Sequence, residues 1–437
     1  MNKQMDNAGL KISLLLPQNR PMKILITHIK ELVQVETDPK PFVSGEAMSE
    51  LTTIRDAYLL IERGVISDFG RMDDLFMPES GSKGRIRIID ASAKMVFPSF
   101  CDSHTHLVYA GSREQEYIDK IRGLSYEEIA KRGGGILNSA RKLHETSETE
   151  LLAQALGRLE EIMWLGTGAV EIKSGYGLTT DDELKMLRVI RQLKELSPLT
   201  IRATFLGAHA VPSEFKGRQG EYVDMIINEM IPVVASEELA DYIDVFCDRG
   251  FFTVEETERI LMAGLKYGLK PKIHANELDY SGGIQVGVKY GALSVDHLEC
   301  TGDEEIRVLK GTETMPTILP GAAFFLGMPH APVRKMIDAG LPVALASDFN
   351  PGSSPSGNMQ LILSMGCIQY KMTPEEAINA TTLNSAYAMG VSDEMGSIAV
   401  GKKANLFITR PIPSVAFMPY AFGSNKVDTV ILNGKIL

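Results

Sequence analysis

Cysteine is sparse in this chain. The four present, Cys101, Cys247, Cys300 and Cys367, are widely separated and none falls in a C-x-x-C pair. That pattern reads as free buried thiols in a reducing compartment. Long apolar runs are missing too. None approaches the roughly 18 residues of a membrane span, and the short run 12–16 ends at Pro17, too brief for a signal segment. A basic excess is the third absence: 45 Lys and Arg against 56 Asp and Glu leave a net charge of −11. Nucleic acid and anionic membrane are disfavoured as partners, and an anionic substrate would need a local positive anchor. A soluble cytoplasmic protein acting on a small molecule is expected. A homodimer is expected from the general frequency of twofold oligomers. Low-complexity tracts and internal repeats are also absent.

What is present is enough apolar sequence, 44% of 437 residues, for a large core in two or three domains. Residues 1–21 read as an extension. Residues 22–95 are all-β in character: 22–35 and 57–70 read as strands, the latter a hairpin about an Arg-Gly turn, and 85–90 alternates cleanly. From 96 the pattern changes. Apolar runs at 96–103, 167–173, 201–207, 242–247, 272–275, 293–296, 314–319 and 341–347 alternate with amphipathic helical stretches such as 181–196, 254–267 and 331–339. Near-continuous apolar strands alternating with helices predict a parallel sheet, and eight such units predict a (β/α)8 barrel. Two further helices are expected at 359–370 and 373–389, the second capped by Thr373 with Pro374 in its first turn. Short strands return at 391–437. The fold class is therefore α/β: a barrel over 96–390 and a small β-sandwich domain built from both termini, 22–95 and 391–437.

In such a barrel chemistry sits at the C-terminal ends of the strands. The first run ends in His104-Thr105-His106, the third in His209, the fifth in His274 with Glu277 three residues on, the sixth in His297 and the eighth in Asp348. Only eight histidines exist, and five stand at strand ends. His28, His144 and His330 receive no role. Neighbours two apart on a strand share a face, so His104 and His106 can grip one ion. With His274 and Asp348 they make three imidazoles and a carboxylate, a set that suits zinc or iron(II). A metal-activated water needs a proton acceptor nearby; Glu277 and Asp348 both qualify, and His297 can polarise a carbonyl, hold the water or act as a further ligand. Gly133 to Gly135 is not a phosphate loop, since the G-x-G-x-x-G spacing and the preceding strand are both missing.

The order H-x-H, His, His, Asp on strands one, five, six and eight resembles the amidohydrolase superfamily, whose members join a metal-bearing barrel to a small β-domain from both termini. Within it, HTHLVYAGSREQEY from His104, GGGI from Gly133, EIKSGYGL from Glu171, FLGAHAVP from Phe205, HANELD from His274, SVDHLE from Ser294 and SDFNPGSSP from Ser347 are similar to the imidazolonepropionases. The resemblance runs from about residue 22 to the C-terminus. One departure is Ser103, where such enzymes often carry proline. The resemblance implies hydrolysis of 4-imidazolone-5-propanoate to N-formimidoyl-L-glutamate, in histidine degradation. It implies substrate-binding roles for Tyr176, His209, Asn350, Gly352 and Ser353, and for Glu277 at the ring nitrogen. The propionate tail requires a cation. Arg113, seven residues past the H-x-H, offers a bidentate fork; its structural alternative is a salt bridge with Glu114 or Glu116. Some related enzymes bridge two ions with a carboxylated lysine ending strand four. Here that strand ends in Cys247-Asp248-Arg249 and Lys173 lies on strand two, so one ion per subunit is expected. Two rival readings are a nucleobase deaminase with a similar metal set and a metal-stabilised barrel that only binds.

Overall fold

The eight apolar runs fold as one parallel sheet in sequence order: Phe100–Thr105, Thr167–Lys173, Thr200–Ala208, Tyr242–Cys247, Lys270–Ala275, Ser294–His297, Met315–Ile318 and Ala344–Leu345. The computed structural model describes residues 23–76, 86–124, 128 and 134–437. The expected extension 1–21, Arg85 of the alternating strand and Gly133 of the glycine run lie outside them. Most residues of these strands are buried, because helices cover the outer face and side chains fill the inside. That is why the runs carry little period-two alternation.

The eighth strand is only two residues long, and the sheet closes beyond it. The Asp348 backbone N–H donates to the His104 carbonyl, and that of His106 donates to the Phe349 carbonyl, both at 3.0 Å. The closing seam therefore sets Asp348 beside the H-x-H pair, joining residues some 240 positions apart in sequence through the barrel's geometry alone.

The helices follow their capping signals. Thr179 accepts from the Asp182 N–H at the start of Thr180–Leu196, and Thr253 with Glu256 forms a capping box at the start of Val254–Lys266. The expected helix 373–389 is two, Pro374–Thr381 and Leu383–Ala388. Thr382 breaks it at φ −127°, ψ −88°, with its hydroxyl bonded to Gln34 Oε1 at 2.7 Å.

The terminal segments form a second, mixed sheet in the order Lys435–Ile436, Val427–Leu432, Leu406–Thr409, Met95–Pro98, Lys23–Val33, Thr53–Glu62 and Val65–Arg71, with Ile86–Asp90 alongside Lys23–Val33. It curls over its own core of Ile24, Ile26, Leu59, Ile66, Leu406 and Ile431. A bridge between Val65 and Lys403 links the edge strand Val65–Arg71 to the segment leading into Leu406–Thr409. The hairpin turns at Arg63 and Gly64, both at positive φ (55° and 86°), as a two-residue turn of matching twist demands. One sequence expectation needs correcting here. The run 96–103 is two strands, not one: Met95–Pro98 belongs to the terminal sheet and Phe100–Thr105 to the barrel. At Ser99 the backbone N–H goes to Asn405, and at Phe100 to Gly166. Apolar patterning did not mark the crossing because residues on both sides of it are buried.

Candidate active site

All five histidines expected at strand ends converge over the C-terminal mouth of the barrel. His104 Nε2 lies 3.3 Å from His106 Nε2, which lies 3.4 Å from His274 Nε2. Asp348 Oδ1 is 3.6 Å from Nε2 of both His104 and His106. Ligands about 2.0–2.1 Å from a tetrahedral ion stand roughly 3.3–3.4 Å apart, so these spacings match ligands to one ion. The outer ring nitrogens support the same reading. His104 Nδ1 is hydrogen-bonded to Asp296 Oδ2 at 2.7 Å, and His274 Nδ1 faces Asp244 Oδ2 at 2.9 Å, so each outer nitrogen stands against a carboxylate while each Nε2 faces the cluster. Burial, reinforced by neighbouring cations, holds His104 and His106 well below the usual imidazole range, as neutral ligands. The donor set thus fits a divalent metal. His297 also comes within ligand range of His104 and His274, and His209 within range of His106 and His274.

The remaining candidates line a cavity of about 300 Å3 above this cluster. His209 Nδ1 donates to the Gly175 carbonyl at 2.9 Å, and its ring stacks on His106 with centroids 5.0 Å apart. Gly175 sits at φ +109°, and a Cβ there would press on His209 Nδ1, so the glycine holds that histidine in place. Tyr176 is buried beside both rings. Glu277 and His297 face each other, Oε2 to Nδ1, at 3.7 Å. Burial and then the charge of Asp348 push the Glu277 carboxyl up to about 8, and burial pushes Asp348 up to about 6. The loop bearing Glu277 is anchored by Asp248, whose Oδ2 accepts from the N–H groups of Glu277 and Leu278 at 2.7 and 2.9 Å.

Arg113 stands at the cavity and is also salt-bridged to Glu116, the second of its two expected carboxylate partners. Its guanidinium lines the cavity, and it is paired with Glu116, Nε and Nη2 lying 2.8 and 2.7 Å from Oε2. Glu116 in turn accepts from Gly135 N and Asn138 Nδ2. The carboxylate fixes one edge of the guanidinium, and Nη1 packs over Gly352. Beneath it, Asn350 Oδ1 accepts from the N–H groups of Gly352 and Ser353, and Ser353 Oγ donates to Asp348 Oδ2 at 3.1 Å. This turn ties the cavity wall under Arg113 to the histidine–aspartate cluster.

Non-glycine residues at positive φ gather here: Asn276 (54°), His297 (84°), Leu298 (71°) and Asp348 (52°). Each costs on the order of 1–3 kcal/mol, a strain typical of sites that fix side chains in unusual directions. Sequence reasoning missed several contributors. Lys120, Phe246 and Phe251 line the cavity, and Asp244, Asp296, Glu171 and Lys272 are buried below it. The signal for the latter four was available: charged residues inside otherwise apolar strands.

The comparisons bear on this geometry. The Amidohydrolase family model matches residues 297–437. An imidazolonepropionase of Flavobacterium johnsoniae is 58% identical over 416 residues, covering 95% of this chain and all of the relative. The chain belongs to the imidazolonepropionase family of amidohydrolases. Another imidazolonepropionase, from Christiangramia forsetii, is 57% identical over the same shares of both chains. Among solved structures, a triazine hydrolase variant superposes with a TM-score of 0.72 at 17% identity, over 95% of this chain and 94% of that one, which speaks for the fold alone. Membership makes this chain a hydrolase of a metal-dependent family. The imidazole and aspartate groups at the barrel mouth are where such a metal fits.

Proposed function

We propose that this protein hydrolyses the ring amide of 4-imidazolone-5-propanoate to N-formimidoyl-L-glutamate, with one divalent ion, zinc or iron(II), held by His104, His106, His274 and Asp348. The observation that carries the reading is the pairing in one cavity of a four-donor cluster with a clamped arginine: the first suits hydrolysis, the second an anionic tail. It works as a cytoplasmic homodimer on a small molecule, with nucleic acid and membranes playing no part. The net charge of −11 disfavours nucleic acid and anionic membrane as partners, and no helix among the described residues is long and apolar enough to cross a membrane.

The ion, when bound, supplies Lewis-acid polarisation of the carbonyl and a water acidic enough to attack near neutral pH. The chain does the rest. Arg113 takes the propionate, its guanidinium pre-oriented by Glu116. Tyr176 and His209, through its free Nε2, set the ring against the cluster. Glu277, neutral at pH 7, donates a hydrogen bond to the ring nitrogen and passes it the proton as the amide bond breaks. Asp348 accepts the proton of the attacking water, and His297 stabilises the developing oxyanion. Asn350, Gly352 and Ser353 keep Asp348 and Arg113 in register. Lys173 is no bridge for a second ion. Although burial alone would lower it, Asp244, Glu171 and Asp296 hold its ammonium well above the usual lysine range, and carboxylation requires a neutral amine. A nucleobase deaminase would leave Arg113 and its Glu116 clamp without a role.

The test is loss of the substrate's ultraviolet absorbance with freshly generated 4-imidazolone-5-propanoate, with bound metal measured in parallel. Turnover should require metal and track about one ion per chain. Arg113→Ala should raise KM roughly 10- to 100-fold with little change in kcat, as expected for losing a charged hydrogen bond. Metal-replete protein that leaves the substrate intact would overturn the assignment.

A further inference from the structure

The barrel floor directly beneath the histidines contains five charged side chains: Glu171, Lys173, Asp244, Lys272 and Asp296. None exceeds 1% exposure. Burying so many charges is costly, and well-packed apolar residues often serve stability as well or better. Their arrangement, though, is specific. Lys173 Nζ lies 2.8 Å from Asp244 Oδ2, 2.8 Å from Glu171 Oε1 and 3.5 Å from Asp296 Oδ2. The same Asp244 oxygen is the one 2.9 Å from His274 Nδ1, and the same Asp296 oxygen is the one 2.7 Å from His104 Nδ1. Each oxygen is thus shared between one ammonium and one imidazole. Lys272 plays a different part: it pairs with Glu171 and donates to the Ser103 and Ala388 carbonyls at 3.2 and 3.0 Å, touching neither histidine.

We propose that Lys173 is a positioning residue for the metal centre, a single buried ammonium that holds the two carboxylates orienting His104 and His274. Lys173 Nζ is the one group in contact with both of those oxygens among the described residues. Without it the two carboxylates lose their common anchor, either can turn away, and the imidazole it faced loses the contact that directs its Nε2 inward. Second, strands two, four, five and six all contribute to this floor, so the ammonium couples ligands from strands one and five that do not touch through the backbone. The inference rests on the reading above that His104 and His274 are ligands.

The experiment measures zinc affinity by competition with a chromophoric chelator, and the visible spectrum of cobalt(II)-loaded protein, for the full chain and four variants. His274→Ala tests the ligand reading: undiminished affinity would remove the basis of the inference. Lys173→Gln tests the inference itself. The expected result is an affinity roughly 10- to 100-fold lower, the usual effect of removing an orienting partner, with altered cobalt bands and native far-ultraviolet circular dichroism. A folded Lys173→Gln with wild-type affinity and cobalt spectrum, while His274→Ala loses binding, overturns it. Should Lys173→Gln fail to fold, Asp244→Asn and Asp296→Asn decide: each is expected to weaken binding comparably, and undiminished affinity in both overturns the proposal.

Discussion

Burial, with Asp348 and Asp248 behind it, sets the Glu277 carboxyl at about 8 rather than in the usual carboxylate range. The side chain is only 11% exposed. At pH 7 it is therefore an acid with a proton to give, suited to a leaving nitrogen. The sign follows directly. Raising pH through about 8 removes that proton, so kcat/KM should fall along an alkaline limb centred there. Glu277→Gln keeps the hydrogen-bond donor but has no proton to transfer; it should lose about 100- to 1,000-fold in kcat, in the range for general acid catalysis. It should also lose the limb. An unchanged alkaline limb in Glu277→Gln would assign it to another group. At this scale much was legible from sequence, because metal ligation draws on few residue types and the barrel says where they must stand. His104, His106, His209, His274, His297 and Asp348 could all be picked out that way. Glu299, buried 3.9 Å from His297 Nδ1, could not. Its place beside His297 follows the turn at positive φ through His297 and Leu298, and no local pattern announces a positive φ at a leucine.

Among elements, the turn after the eighth strand does most to join the proposed metal and substrate sites. Gly352 is closely covered by Arg113: a Cβ there would overlap the guanidinium. Gly352→Ala should therefore push Arg113 off its Glu116 clamp while leaving the histidine cluster intact. The expected phenotype is a KM rise of about tenfold or more, with zinc content and thermal midpoint close to wild type; a normal KM would show that the loop yields without moving Arg113. The glycine was visible in sequence, but its reason was not, since the contact joins two loops 239 residues apart. The same limit applies to the split of 96–103 between two sheets and to the break at Thr382. Hydrophobic pattern reports burial, and burial continues across both changes of direction. Strand count survived because each barrel strand lies between covering helices and keeps a distinct apolar run.

For the molecule as a whole, the proposed metal ligands sit on the barrel's closing seam. His104 and His106 come from strand one, Asp348 from just beyond strand eight, and the two are bound by backbone hydrogen bonds at 3.0 Å. His274 ties in strand five from across the barrel. An ion there would pin the seam shut, yet the seam has its own backbone bonds and the core on both sides is continuous. This separates a catalytic metal from a structural one. If the ion merely binds to a preformed barrel, its contribution is set by mass action: about 2.7 kcal/mol when free metal is 100 times its Kd. Spread over the unfolding entropy of 437 residues, that amounts to a fall in Tm of only about 3 °C on chelation. Far-ultraviolet circular dichroism at 25 °C should be unchanged, and activity should vanish and return with added ion. A protein that needed the metal to fold would instead lose its secondary structure with the chelator, as small zinc domains do. That result would revive the reading of a metal-stabilised binding barrel. The neutral imidazoles, the oriented outer nitrogens and the seam's own hydrogen bonds all argue for a site formed before the ion arrives.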